Sequence, residues 1–244
     1  MKKICETLAA SALFYGWNHD AFHEYCDRTS IRFVLKGETL VNEGDPCTGI
    51  GIIIEGQLAM QKYNRSGDFT TLELMGADEI FGEDLIFNNK STYSNTIEAA
   101  TNSRVVFIPR EVLMLLLEKN PAMMQNILSI ISNRIISQNR RIYLLSQKNL
   151  RCKIVSYLLE LLHDKMKKEE RFRKSTHSRG SMQKVELPVS KEVISRLLAM
   201  PRPSFSRELV TMTHEGLIRV SGRVIWLMNL EHLENGILDD FQMV

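Results

Sequence analysis

Between Asn120-Pro121 and His163 the 244-residue chain runs without an internal glycine or proline. Inside this stretch Met124, Leu128, Ile131, Ile135, Gln138, Ile142 and Leu145 follow one another at steps of 4, 3, 4, 3, 4 and 3. A 3.5-residue apolar repeat held this long is the pattern of a helix whose seam meets another helix, so a long helix and a parallel dimer are predicted. The plainer reading is a core helix laid against a neighbouring domain, and Met123, Ile127 and Ile130 supply a face for that contact. Gln138 is the only polar residue in the seam. A polar side chain there costs stability and fixes register, which demands a specific partner.

Before this helix the pattern is different. Residues 31–109 form short apolar runs, such as 50–54, 58–63, 70–74 and 103–108, punctuated by Gly37, Gly44, Gly49, Gly51, Gly56, Gly67, Gly76 and Gly82. Short strands with a turn signal every ten residues or so read as a β-barrel or sandwich. Gly44-Asp45-Pro46 and Ser66-Gly67-Asp68 are the clearest turns.

After the helix, residues 164–184 carry Lys165, Lys167, Lys168, Arg171, Arg173, Lys174, Arg179 and Lys184 with few apolar residues, the composition of a solvated helix end and loop. Ser190 then suits a helix N-cap, followed by Lys191-Glu192 in the first turn and by Val193, Ile194, Leu197 and Leu198 as an apolar face. Ala199-Met200 turns the chain, and Pro201-Arg202-Pro203-Ser204 opens a second helix reaching about Glu215-Gly216. Phe205, Leu209 and Met212 form its buried stripe, so Arg202, Ser206 and Arg207 are expected to point outward. Residues 217–220 and 224–227, joined at Ser221-Gly222, read as a hairpin. Two short helices and a hairpin make a winged helix-turn-helix, whose second helix suits a major groove. Arginine there donates two parallel hydrogen bonds to guanine, and serine binds base edges or phosphate. A small helical domain with solvated arginines fits the same spacing.

Charge agrees with a polyanion partner for the back half. Residues 151–244 hold 16 Lys and Arg against 12 Asp and Glu, and residues 1–150 hold 15 against 17. Lys2 and Lys3 precede an apolar stretch, but Glu6 interrupts it and Asn18, His19 and Asp20 follow. An amphipathic N-terminal helix is expected, not an export signal. No stretch reaches the roughly 18 apolar residues of a membrane span. Cys5, Cys26, Cys47 and Cys152 lie far apart, as isolated thiols of a reducing cytoplasm do.

Taken in order, these motifs resemble the Crp/Fnr family of bacterial regulators over nearly the whole chain. In the front half, Lys36-Gly37-Glu38-Thr39-Leu40, Glu43-Gly44-Asp45, Glu55-Gly56, Gly67, Gly76 and Phe81-Gly82-Glu83 match its cyclic-nucleotide-binding β-roll. In the back half, Leu198-Ala199-Met200-Pro201-Arg202, Ser206-Arg207-Glu208-Leu209 and Glu215-Gly216-Leu217-Ile218 match its winged helix. The resemblance implies an α+β fold with an N-terminal helix and a double-stranded, jelly-roll-like β-roll over 1–118. A dimerisation helix over 119–148 and a winged helix-turn-helix domain over 149–244 complete it. It implies no enzyme, but a homodimer on a palindromic double-stranded DNA site, its half-sites about 34 Å apart, with RNA polymerase as a further partner. Ser190, Lys191, Arg202, Ser204, Ser206, Arg207 and Arg223 are the expected DNA contacts. Pro203 stands where many members carry a glutamate that reads cytosine.

The pocket departs further. Members that bind cyclic AMP hold its ribose with a glutamate, here Glu83 after Gly82, and its phosphate with an arginine ten residues on; that position is Tyr93, followed by Ser94. A buried phosphate without its cation loses about 2 to 5 kcal/mol, and Lys90 nearby does not replace an arginine fork. An effector other than cyclic AMP is therefore expected, with Gly82, Glu83, Asp84, Tyr93, Ser94, Gln138 and Asn139 as pocket candidates. A vestigial pocket with constitutive DNA binding is the alternative. No cofactor or metal is expected: the scattered cysteines do not suit an iron-sulfur cluster, and no histidine falls between His23 and His163 to serve haem or a metal. The reading from another class is a small-molecule-binding or enzymatic β-roll with a C-terminal interaction module, and the same gap argues against its metalloenzyme form.

Overall fold

The computed structural model describes residues 8, 11–16, 28–88, 92–147, 149–172 and 183–234. Most of the expected N-terminal helix, Cys5, Cys26, Lys90, Arg173, Lys174 and Arg179 lie outside the described residues. Contacts divide the chain into two units, Met1–Gln138 and Asn139–Val244.

The first unit is a double-stranded β-roll. Its strands are β1 (Ser30–Val34), β2 (Thr39–Val41), β3 (Gly49–Glu55), β4 (Leu58–Tyr63), β5 (Phe69–Met75), β6 (Ile80–Phe81), β7 (Thr96–Ala99) and β8 (Ser103–Pro109). They form two antiparallel four-stranded sheets in the orders β1-β8-β3-β6 and β2-β7-β4-β5. β3 is buried over its first five residues and β8 has no exposed residue, which explains why they read as continuous apolar runs. Glycine is required between β3 and β4: Gly56 has φ +85°, and a Cβ there would collide with the Asn102 carbonyl and the Ser103 hydroxyl. Leu58, Met75, Phe81, Ile97 and Val105 fill the roll.

A short helix α1 (Glu83–Ile86) follows β6, and α2 (Arg110–Lys119) follows β8. Neither was expected from the sequence. α2 buries Val112, Leu113, Leu116 and Leu117 in a second cluster with Ile50, Ile52, Val106 and Ile108. The long helix α3 (Pro121–Ser146) begins beyond Asn120, whose side chain accepts from Ala122 N at 3.0 Å. Met123 and Ile127 are buried in the second cluster, and Ile130 packs on it. Asn126 anchors the segment 11–15 by donating to the carbonyls of Leu13 (3.1 Å) and Tyr15 (2.9 Å).

In the second unit α4 (Leu150–Phe172) starts at Asn149, whose side chain accepts from Arg151 N at 2.9 Å. That cap ends the helical run at a point no glycine or proline marks. β9 (Gln183–Glu186) corrects the reading of 164–184 as helix end and loop: Lys184 is a strand residue. β9 pairs with β11 (Val224–Leu227), which pairs with β10 (Ile218–Ser221), giving a three-stranded wing. Only Val185 of β9 is buried, so the strand exists by pairing, not by its own apolar pattern. The hairpin turn is Gly222-Arg223, one residue later than expected, because Ser221 pairs with Val224 and Gly222 takes the positive φ. Between β9 and β10 lie α5 (Lys191–Leu197) and α6 (Arg202–His214), both packed into the wing domain. Among the described residues no helix is long and apolar enough to cross a membrane.

Candidate nucleic-acid interface and effector pocket

α5 is set by Ser190, whose hydroxyl accepts from Val193 N, and ends at Leu198. Ala199 then adopts φ +50°, a left-handed conformation usually left to glycine, and this sharp turn aims α6. Pro201 precedes α6 and Pro203 occupies its first turn, where a missing N–H leaves no helical bond unmade. Phe205, Leu209 and Met212 are buried beneath it.

Of the three outward residues that spacing named, one faces solvent fully. Arg207 is exposed, but Arg202 and Ser206 are partly buried and bonded to each other, guanidinium to hydroxyl, along the flank of the helix. That flank lines a groove of about 310 Å³ together with Lys191, Val210, His214 and Val220. Burial, and then the charge of Arg202, push the Lys191 ammonium below its ordinary pKa. Two cations crowded at the N-terminus of a helix make a strongly positive corner. Ser204 is partly buried. Arg223 at the wing tip donates to the Pro188 carbonyl (3.2 Å) and to Glu186 (3.2 Å).

Sequence reasoning missed Arg151, at the start of α4. Its guanidinium binds Glu208 through Nε (2.6 Å) and Glu215 through both terminal nitrogens (2.7 and 2.8 Å). One arginine therefore ties both carboxylates of the α6 segment to α4. Another clamp, Arg141, donates to the Leu197 carbonyl at the end of α5 (2.6 Å).

In the roll, Gly82 takes φ +87° to open α1, and its Cβ position lies 3.2 Å from the Tyr93 hydroxyl and 3.3 Å from Cys47 Sγ. Tyr93 is buried, and burial together with Cys47 pushes its hydroxyl well above its ordinary pKa, so it stays neutral. Glu83 is only 3% exposed. Its Oε1 is paired with Arg134 of α3, which also binds Glu73 (3.0 Å) and the Ile80 carbonyl (3.0 Å). Burial raises the Glu83 pKa, opposed by Arg134. Burial opposes the Arg134 charge, but Glu83 and Glu73 together outweigh it and hold it protonated. Glu83 Oε2 has no hydrogen-bond partner among the described residues. Two carboxylates thus face one guanidinium on this side of the roll. The signal for Arg134 was present in the sequence: it is the only charged residue between Lys119 and Arg140.

Asp84 and Ser94 are exposed, as are Gln138 and Asn139. Along α3, Met124, Leu128, Ile135 and Ile142 are exposed, the last at 67%. Ile131 packs partly on the second core cluster, and Leu145 is partly buried.

Two family profiles match the chain: a cyclic nucleotide-binding domain over residues 31–120 and a Crp-like helix-turn-helix domain over 152–235. The chain belongs to the Crp/Fnr family. The CRP-like cAMP-activated global transcriptional regulator of Mycobacterium tuberculosis is 24% identical over 228 residues, covering 93% of this chain and 97% of that protein. Electron transport regulator A of Shewanella oneidensis is 26% identical over 201 residues, covering 82% and 75%. Among solved structures, FixK2 from Bradyrhizobium japonicum superposes with a TM-score of 0.67 at 19% identity, covering 85% of this chain and 96% of that one. The c-di-GMP responsive regulator CLP of Xanthomonas campestris reaches 0.65 at 20% identity, covering 87% and 100%. As a Crp/Fnr member the chain is a transcription regulator with a DNA-binding helix-turn-helix, in a family of regulators and not of enzymes.

Proposed function

We propose that the chain acts as a homodimer that binds a palindromic DNA site through α6 and is controlled by a small molecule in the β-roll other than cyclic AMP. The observation that carries the DNA reading is α6 itself, a helix opened by Arg202, presenting Arg207 to solvent, with Lys191 beside its N-terminus. Ser190, Ser204 and Ser206 supply hydroxyls, and Arg223 reaches phosphate from the wing. The exposed line of Met124, Leu128, Ile135 and Ile142 supports pairing of α3 with its copy. A two-fold dimer then offers two reading helices to two half-sites, and RNA polymerase is a further partner of the bound complex.

The roll supports an effector with hydrogen-bond donors and no phosphate. Glu83 Oε2 is a buried acceptor with no partner among the described residues, Tyr93 is a neutral hydroxyl where a cation would be needed, and the Glu73–Arg134–Glu83 group sets two carboxylates against one guanidinium. Relatives named for cyclic AMP or c-di-GMP respond to phosphate-bearing molecules, which this interior repels.

Mobility shifts with genomic fragments test the DNA function, and a specific duplex recovered at moderate salt is the expected result. Arg202→Ala and Arg207→Ala then each lose about 1 to 3 kcal/mol on that duplex; unchanged binding by both refutes this use of α6. A thermal-shift screen tests the pocket, and stabilisation by micromolar cyclic AMP would refute it.

A further inference from the structure

At 100° per residue, Pro203, Arg207, Val210 and His214 fall on one line along α6, opposite the buried Phe205, Leu209 and Met212. All four are exposed, and Val210 is 56% exposed. No carboxylate shares this line: Glu208 and Glu215 lie on the flank, held by Arg151. A branched aliphatic side chain standing in water beside an arginine, on a helix that opens with a second arginine, suits an occupant that is both apolar and polyanionic. The major groove at thymine is such an occupant, because thymine alone among the four bases puts a methyl group on the groove edge. Cytosine is read by a carboxylate accepting from its amino group, and this face offers none.

We infer that Val210 and Pro203 read thymine through its 5-methyl group, on either side of a guanine bound by Arg207. The inference rests on α6 being the DNA-reading helix. Seven residues separate Pro203 from Val210, about 10 Å along the helix axis, so the two methyl contacts belong to different base pairs. Arg207 lies between them and fixes the register with its two parallel donors. The half-site is specified by shape and methyl pattern around one guanine, and cytosine positions on the same strand go unread.

The test uses the full-length protein. Duplexes are selected from a random pool, and affinity is measured by fluorescence anisotropy at one fixed salt concentration on the selected duplex. Measurements are repeated with deoxyuridine replacing each thymine beside the guanine, which removes the methyl group and nothing else. Each replacement is expected to weaken binding about fourfold. Val210→Ala abolishes the response to one replacement and keeps the response to the other, with its thermal midpoint unchanged because the side chain is exposed. A selected half-site without thymine beside the guanine, replacements that change affinity less than twofold, or a full thymine response in Val210→Ala would each overturn the inference while leaving DNA binding intact. Failure to recover any specific duplex would overturn the DNA function itself, and this inference with it.

Discussion

At the scale of single residues, Arg134 carries the most consequence. Among the described residues it is the only cation paired with Glu83, a carboxylate buried to 3% exposure, and it also holds Glu73. Removing one partner of a buried pair leaves a charge stranded in low dielectric, so Arg134→Met is expected to lose about 3 to 5 kcal/mol at neutral pH. The direction with pH follows from linkage. Burial already raises the Glu83 pKa, and losing the guanidinium raises it further. A carboxyl whose folded pKa exceeds its unfolded one contributes stability below the unfolded value, and that stability is lost as pH rises through the folded value. The Arg134→Met variant should therefore recover stability, relative to wild type, as pH falls through the raised folded value of Glu83, with recovery complete at the ordinary carboxylate range. Glu83→Gln in the same background should restore it at neutral pH. Urea midpoints across pH measure both, and a pH-independent deficit would show that Glu83 is not the stranded charge.

At the scale of elements, the helix-turn-helix is held by two unequal devices. Ala199 pays for the turn with a left-handed conformation that costs an L-residue about 1 to 2 kcal/mol. Its side chain is exposed, so Ala199→Gly should stabilise the protein by about 0.5 to 1 kcal/mol after the greater freedom of unfolded glycine is subtracted; calorimetry checks it. Arg151 does something different. Its three bonds to Glu208 and Glu215 are partly exposed, so their loss changes stability by only about 1 kcal/mol. Its larger effect is on DNA, since Arg151→Gln releases two carboxylates beside a helix meant for a polyanion. Affinity should fall about threefold to tenfold, with recovery when Glu208 and Glu215 are also made Gln. An unchanged affinity in Arg151→Gln would reduce the clamp to a fold contact. These elements also show what local pattern reveals. The Ser190 cap and the 205, 209, 212 stripe were legible because each is set within a turn or two of chain. β9 was not, because Gln183–Glu186 has one buried residue and owes its conformation to β11. Arg151 was equally hidden, since its partners lie 57 and 64 residues away.

For the whole molecule, the exposed line on α3 is decisive. Met124, Leu128, Ile135 and Ile142 are left to water by the fold of one chain, while Met123 and Ile127 on the adjacent face are buried in its core. Ile135→Glu is therefore expected to leave the β-roll folded and shift the protein toward monomer in light scattering. A monomer engages one half-site only, so affinity for a palindromic duplex should fall about 100-fold or more through the loss of bivalent binding. A variant that stays dimeric and binds normally would place the seam elsewhere.

Periodicity and punctuation along the chain were enough to dictate a glycine-rich β half, a long helix, and two short helices followed by a hairpin. Those features depend on interactions within a few residues: alternation, heptad spacing, caps and turns. Packing decided the rest. It turned Arg202 and Ser206 along the flank, brought Glu73, Glu83 and Arg134 together from three elements, and tied Glu208 and Glu215 to Arg151. Each outcome hangs on partners distant in sequence, where spacing carries no information and only burial, charge balance and hydrogen-bond geometry choose between alternatives.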